Sequence, residues 1–415
     1  MLRRTLFAGV AAACLLAAAA APAAAQTIRV MTWNNEFAEG TAWWDKITSD
    51  FEALHPGVTV EGNFVAFNQY LTSLAAMTAG DSLPDIFWGN VKTIELGKAG
   101  IALDYTTVVD QAFLDQFFPS TLRQFTSGDA IYALPGNAQM FGLFVNDRIM
   151  GELGLEHPET WDELIEMAPT MREAGYTPIA FGNLGKNLCP DFFLPLIAQY
   201  GGDVYALDAL DEEGVSWDSQ PVIDALTLMQ RLQQAGVFLD GINGVDERPA
   251  WQIAYQGRAV MIYGPTNSAA IFEAEGTDDW INNYSARRVP ALTEDGVHYS
   301  GDGSGRGFVV NSRGPNVDLS IEFLKFFFAP ENYDYIMEQT ADFPSVKASV
   351  PKITNPKVAE MASWLETDGA NHILFGGGSW DAVSNVCQSI LDGSIEPAAG
   401  AAQIQADVLE TRARQ

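Results

Sequence analysis

Basic side chains are scarce in this 415-residue chain: 23 Lys and Arg stand against 53 Asp and Glu, a formal charge of −30. Such a surface repels phosphate backbones and anionic lipid, which argues against nucleic-acid and membrane-surface functions; solubility is the simplest use of the acidity. Cysteine and histidine are scarcer still, at 3 and 4. No C-x-x-C pair occurs, and His55, His157, His298 and His372 are scattered without metal-ligand spacing, so no metal or other cofactor is expected. The signatures H-E-x-x-H, G-x-S-x-G and G-x-x-x-x-G-K-[ST] are also missing, which removes the commonest hydrolase and nucleotide-binding motifs.

Long apolar runs are absent after residue 25. Before it, Arg3 and Arg4 precede an apolar stretch at 6–21, and Ala23-Ala24-Ala25 offers a small-x-small cleavage pattern ahead of Gln26. Residues 1–25 therefore read as a cleaved signal peptide, and the mature chain as soluble and periplasmic. A membrane anchor is the alternative, but the Ala-rich run is short for a span. A lipoprotein built on Cys14 fits less well, because the apolar run continues past it. Export makes a disulfide between Cys189 and Cys387 about as reasonable as two separate buried thiols. The mature part, about 390 residues, is long for one ordinary core and suggests two lobes. Its hydrophobic content, 47% over the whole chain, suffices to fill them and argues against disorder.

Residues 28–32, 58–65 and 86–87 read as strands, with helices over about 40–54, 69–79 and 93–98. This β-α-β-α-β order implies a mostly parallel sheet with helices on both faces. A further apolar strand spans 140–145. Thr160 and Glu163 frame a capping box for the next helix, on which Trp161, Leu164, Ile165, Ala168 and Met171 share a buried face, so Trp161 reads as core. Strands follow at 178–181, 259–263, 288–291 and 307–310. Helices follow at 192–200, 221–235, 251–256 and 319–328, the last stopped by Pro330, and another starts near Trp380. Two lobes with no linker between them suggest that the chain crosses more than once.

The segment 80–90, GDSLPDIFWGN, reads as a turn, a short buried strand, then an exposed Trp88 and Asn90 at its carboxyl end. In open α/β sheets, ligands bind beyond those ends. An indole offers a flat apolar face and an amide both a donor and an acceptor, a pair suited to a polyhydroxylated ring. The pattern recurs at Trp33, Asn34, Asn35 and Glu36, at Asn137 and Gln139, at Thr266 and Asn267, and at Trp380 and Asp381 after three glycines. One such end means little, since Trp is usually core. Five suggest convergence on one cleft of stacking faces and neutral hydrogen-bonding groups. Asp302 and Arg306 lie among four alternate glycines from 301 to 307, which suggest a turn and close backbone approach. The two read either as a mutual ion pair or as ligand contacts. Carboxylates are plentiful enough for a glycosidase-like pair, but nothing singles out two of them; Glu36 and Asp302 read better as acceptors for hydroxyls.

Several segments, taken in order, resemble one family. They are 51–61 (FEALHPGVTVE), 80–86 (GDSLPDI), 131–135 (IYALP) leading to Val145-Asn146-Asp147, 158–164, 257–261 (GRAVM) before Gly264-Pro265, and 321–326 (IEFLKF). The order is similar to that of the extracellular solute-binding proteins of ABC importers, family 1, the sugar-binding branch that includes maltose-binding protein. The resemblance implies a two-lobed α/β periplasmic binding protein fold, each lobe a mostly parallel sheet flanked by helices. The lobes would be 26–136 with 287–331, and 137–286 with 332–415, joined by crossover hinges around a clamped ligand. It makes Gln139 a ligand contact after the first crossover and Trp380 a stacking Trp of the C-terminal lobe, and places Trp88 near the aromatic that follows Pro-Asp-Ile. Thr266 stands where maltose-binding protein has a stacking Trp, so that platform is absent and a mono- or disaccharide fits better than a long maltodextrin. The family implies a monomer, not an enzyme, that binds a sugar ligand and delivers it to the transmembrane subunits of an ABC permease. A receptor for a polyamine or a glycerophosphodiester, or an exported glycan hydrolase, is the alternative. A phosphate ligand would need basic groups, and these are scarce near the predicted strand ends apart from Arg306.

Overall fold

The computed structural model describes residues 26–33, 41–89, 92–186, 188–209, 215–340, 343–353, 355–367 and 379–414. The strands that build the two main sheets are β1 (Gln26–Trp33), β2 (Val58–Val65), β3 (Ile86–Gly89), β4 (Leu134–Pro135), β5 (Gln139–Asn146), β6 (Thr177–Ala180), β7 (Ala259–Pro265), β8 (Tyr284–Arg287), β9 (Asp302–Gly303) and β10 (Gly307–Val310). The helices that matter to the site are α1 (Thr41–Leu54), α2 (Phe67–Ala79), α3 (Pro119–Arg123), α4 (Trp161–Glu173), α5 (Leu188–Gln199), α6 (Val204–Ala209), α7 (Ser268–Glu275), α8 (Val317–Phe327), α9 (Pro330–Thr340), α10 (Ser379–Leu391) and α11 (Pro397–Ala413).

The fold is two-lobed. The first sheet runs β2-β1-β3-β10-β4 and the second β8-β5-β7-β6, with β9 on β5. β2, β1 and β3 are parallel, as their β-α-β-α-β order requires, whereas β10 pairs antiparallel with both β3 and β4. In the second sheet only β6 and β7 are parallel; β7, β8 and β9 all run antiparallel to β5. The parallel character therefore belongs to the βαβ units, and β5 and β10, each entered from a crossover, run against their neighbours.

One core fills the first lobe, built on Ile28, Val30, Phe87, Phe308, Phe323 and Phe327. The second sheet is covered on both faces, because β5 alternates with period two. Phe141, Leu143 and Val145 join a cluster with Phe192, Leu226 and Tyr263. Met140 and Phe144 join another with Trp251, Phe272 and Trp280. The capping box forms at the start of α4, where Thr160 accepts from the Glu163 N–H and the Glu163 carboxylate accepts from the Thr160 N–H. Trp161 is core, 2% exposed. Cys189 and Cys387 form a disulfide that ties α5 to α10 across 198 residues of sequence.

Two expectations are corrected. The strand expected at 288–291 lies at Tyr284–Arg287, where Tyr284 stacks on Trp280, and Pro290 lacks the N–H that a ladder needs. Pro330 does not only stop a helix: it opens α9, since proline's missing N–H costs nothing in a first turn. Around the lobe boundaries expected at 287 and 331, the cores divide as follows. Val289 packs in the second core and Ala291 bridges to Thr160, while Tyr333, Ile336 and Met337 pack in the first. The return crossing thus lies between β9 and β10. A later one lies near Phe343, which packs in the second lobe, and Val346, which packs in the first.

Candidate ligand-binding cleft

Pairing register aligns the ends of the strands. In the first sheet Trp33 is level with Val65, Gly89 with Gly307, and Gly307 with Pro135. The carboxyl ends of β1 and β3 therefore share one edge with the start of β10. In the second sheet Phe141 is level with Pro265, Met140 with Asp302, and Gln139 with Gly303, and the Thr266 N–H donates to the Met140 carbonyl at 2.9 Å. Only residues 136–138 and 304–306 separate these two edges. Both sheets thus turn these ends towards one interlobe gap, the kind of place where ligands bind in open α/β folds.

The crossovers are tied together. The Gly136 N–H donates to the Arg306 carbonyl at 2.8 Å, and the Ala138 N–H to the Phe343 carbonyl at 2.7 Å. Tyr333 donates its hydroxyl to the Gly136 carbonyl at 3.1 Å and accepts from the Ser345 N–H at 2.8 Å. Burial raises the Tyr333 pKa to about 12, against the pull of its Ser345 hydrogen bonds. Ser304 donates to the Asn137 amide oxygen at 3.4 Å, and Asn137 is 2% exposed, so it helps to hold the crossover. Two of the four glycines have clear reasons. Gly303 has φ +149°, which L side chains rarely adopt, and a Cβ on Gly305 would lie 2.6 Å from the Gln139 amide nitrogen.

On the first-lobe wall, Trp88 is not the exposed platform expected from the sequence. It is 2% exposed, meets Phe308 edge-on at 6.3 Å, and lies under the Arg306 guanidinium, 5.1 Å from its ring centroid. Alternation along β3 gives way to burial on both faces because β1 and β10 flank it and helices cover it. Arg306 is half-buried, and its lost hydration lowers its pKa to about 10; it stays protonated at neutral pH. The backbone of Trp33 ends β1, and that of Asp302 pairs with Met140. Asn34, Asn35, Glu36 and Asn90, like the signal peptide expected at 1–25, lie outside the described residues.

On the second-lobe wall, Thr266 is 3% exposed and Ser268 is fully buried. Thr266 Oγ1, Asn267 Oδ1 and Ser268 Oγ are all shut from solvent without a hydrogen-bond partner among the described residues. Three neighbouring orphan oxygens at a strand's carboxyl end are unusual, since buried polar groups are nearly always paired. Trp380 is half-buried against the second core at the start of α10, and Asp381 beside it is exposed. Trp88 and Trp380 thus belong to separate cores. The structure groups Trp88, Asn137, Gln139 and Arg306 around the crossovers and leaves Thr266 with Asn267 on the facing edge.

The family model for bacterial extracellular solute-binding proteins matches residues 34–334, more than half of the chain. The chain belongs to that family. A probable sugar-binding periplasmic protein of Rhizobium meliloti (strain 1021) is 26% identical to this solute-binding protein over 250 residues, 59% of this chain and 58% of the relative. The match thus spans a little over half of that relative's length. Among solved structures, a chitin oligosaccharide binding protein superposes with TM-score 0.79 at 21% identity, over 93% of this chain and 99% of the other. The maltose/maltodextrin-binding domain MalE from Bdellovibrio bacteriovorus, bound to maltotriose, gives TM-score 0.72 at 18% identity, over 94% and 100%. At such identities the likeness establishes the two-lobed fold.

The sequence reading missed two polar groups of this solute-binding protein. Asn183, 1% exposed, lies just past the carboxyl end of β6 with its Oδ1 unpartnered among the described residues, and Ser379 Oγ at the start of α10 is likewise orphaned. Asn183 fits the same amide-after-strand pattern, but no Trp accompanies it. A surface depression of about 480 Å³ lies elsewhere, lined by Glu273, Ile281, Asn282, Asn355, Pro356 and Lys357. Its one carboxylate, Glu273, is already engaged, accepting from Tyr284 at 2.9 Å and lying 3.7 Å from Lys357.

Proposed function

We propose that this solute-binding protein captures a mono- or oligosaccharide in the interlobe cleft and delivers it to an ABC permease. In this reading residues 1–25 are a cleaved leader, and the mature protein works in the periplasm as a monomer, without cofactor or catalysis. The three orphan oxygens at 266–268 carry the reading. Each unpaired buried polar group costs about 1–3 kcal/mol, a penalty that the hydroxyls of a carbohydrate would relieve. Neutral hydroxyl and amide groups suit such a ligand better than a polycation or a phosphodiester. Similarity to a probable sugar-binding relative supports the same class.

Trp380 would supply a stacking face, and Gln139, Asn267, Asp302 and Arg306 would complete the polar contacts. Contacts from both walls would then favour a closed arrangement of the lobes. The test is a thermal-shift screen of the mature protein against sugars, polyols, polyamines and phosphodiesters. A ligand of the native state raises its stability by about 2.7 kcal/mol at a hundred times its Kd. A sugar should raise the melting temperature. A shift with spermidine or glycerophosphocholine alone would replace the sugar reading, and turnover of an oligosaccharide would restore the hydrolase.

A further inference from the structure

Among the described residues, one ion pair joins the two lobes outside the crossovers. Arg123 closes α3, between Leu122 and Phe125, which pack on the first core. Asp203 and Tyr205 begin α6, whose Val204 and Leu207 pack in the second. The Arg123 guanidinium sits 4.0 Å above the Tyr205 ring centroid, with one nitrogen 3.8 Å from an Asp203 carboxylate oxygen. That same oxygen accepts from the Tyr205 N–H at 3.0 Å and the Ala206 N–H at 3.2 Å, so the start of α6 fixes the carboxylate in place. The next residue anchors α3 to the hinge. Gln124 donates to the Ser304 carbonyl and accepts from the Ser304 N–H, both at 2.8 Å, copying a strand pairing with its side-chain amide. α3 is therefore a short strut, held to a crossover by Gln124 and to the opposite lobe by Arg123.

We infer that the Arg123 contact with Asp203 and Tyr205 is an interlobe latch that sets the resting angle of the lobes and, through it, ligand affinity. The inference rests on the two-lobed receptor reading, but not on the identity of the ligand. A planar guanidinium can stack and pair at once, which an ammonium cannot do equally well. Both charged groups are more than half exposed, at 53% and 60%, so the pair is weak enough to release during a binding cycle and is screened by salt.

The test uses the ligand-free mature protein with nitroxides on Leu54→Cys and Leu409→Cys, exposed positions on α1 and α11 in opposite lobes. Pulsed EPR then reads the interlobe distance. Arg123→Ala should move the population ratio of lobe arrangements by about two- to tenfold, and high salt should move the parent protein the same way. Arg123→Lys should fall between them. Asp203→Asn is the conservative second variant, since an amide oxygen still accepts from the start of α6 while the charge is gone; it should shift the ratio in the same direction. Unchanged distance distributions in both Arg123→Ala and Asp203→Asn, with melting temperatures intact, would overturn the latch. Because no ligand enters the measurement, that result would leave the sugar proposal standing, and a failed sugar screen would leave the latch standing.

Discussion

Thr266 and Tyr333 show how burial gives opposite roles to two hydroxyls. The Tyr333 hydroxyl is fully engaged with Gly136 and Ser345 at the crossovers. Tyr333→Phe should therefore destabilise the protein by about 1–3 kcal/mol, because partners built to meet a hydroxyl are left buried and unpaired. A denaturant titration at neutral pH would measure it. Since folding raises this phenol from 10.0 to about 12, its contribution is intact below pH 10 and is lost as pH climbs towards 12. The Phe variant, with no proton to lose there, should show a flatter stability profile over that range. Thr266 is the reverse case, a buried hydroxyl with no partner among the described residues. Thr266→Val keeps the shape and removes the orphan, so stability should hold or rise by about 1 kcal/mol while affinity for the screened sugar falls about tenfold. A variant that melts earlier and binds equally well would make Thr266 a structural residue. Trp88 carries the lesson in the other direction: the sequence gives a Trp at a strand end, but not the Arg306 that covers it from 218 positions further along the chain.

At the scale of elements, most of the first lobe was legible. The strands at 58–65 and 307–310 and the helix at 93–98 lie where periodicity and turn residues put them, and Thr160 with Glu163 marks a helix start that forms as read. These signals are local. The strand direction in the second sheet, the place of β8 and the continuation into α9 depend on partners distant in sequence, which a single chain pattern does not record. The disulfide is of the same kind: composition permits it, and only the packing of α5 on α10 decides it. Closing a loop of 198 residues removes so much freedom from the unfolded chain that the bond should stabilise by about 5 kcal/mol. Replacing Cys189 and Cys387 with serine, or adding dithiothreitol, should lower the midpoint of a denaturant melt accordingly. Trp380 lies two turns before Cys387 on α10, so the same treatment should also weaken the sugar-dependent shift at temperatures where the protein remains folded. An undiminished shift would detach α10 from the site.

For the whole molecule, the decisive feature is that two sheets, each with its own core, turn their carboxyl edges towards one gap and are joined there by three-residue crossovers. Such a joint permits rotation without breaking either core, provided the crossovers themselves can bend. Gly305 sits on one of them, pressed on Gln139, and Gly303 ends β9 just before it, in a backbone conformation that suits glycine. A ligand can drive closure only through its unequal affinity for the two lobe arrangements. Moving the chain from almost wholly open to almost wholly closed needs about 5.5 kcal/mol of such preference, a demand that contacts on one wall alone would not meet. Small-angle scattering should therefore show a smaller radius of gyration when the sugar that gives the largest thermal shift is added. Thr266→Val should need more sugar to reach the same compaction, while Gly305→Val, which would drive a branched side chain into Gln139, should bind with little compaction. If the sugar raises the melting temperature but leaves the scattering curve of the parent protein unchanged, ligand capture on one wall would replace closure around the ligand as the mechanism.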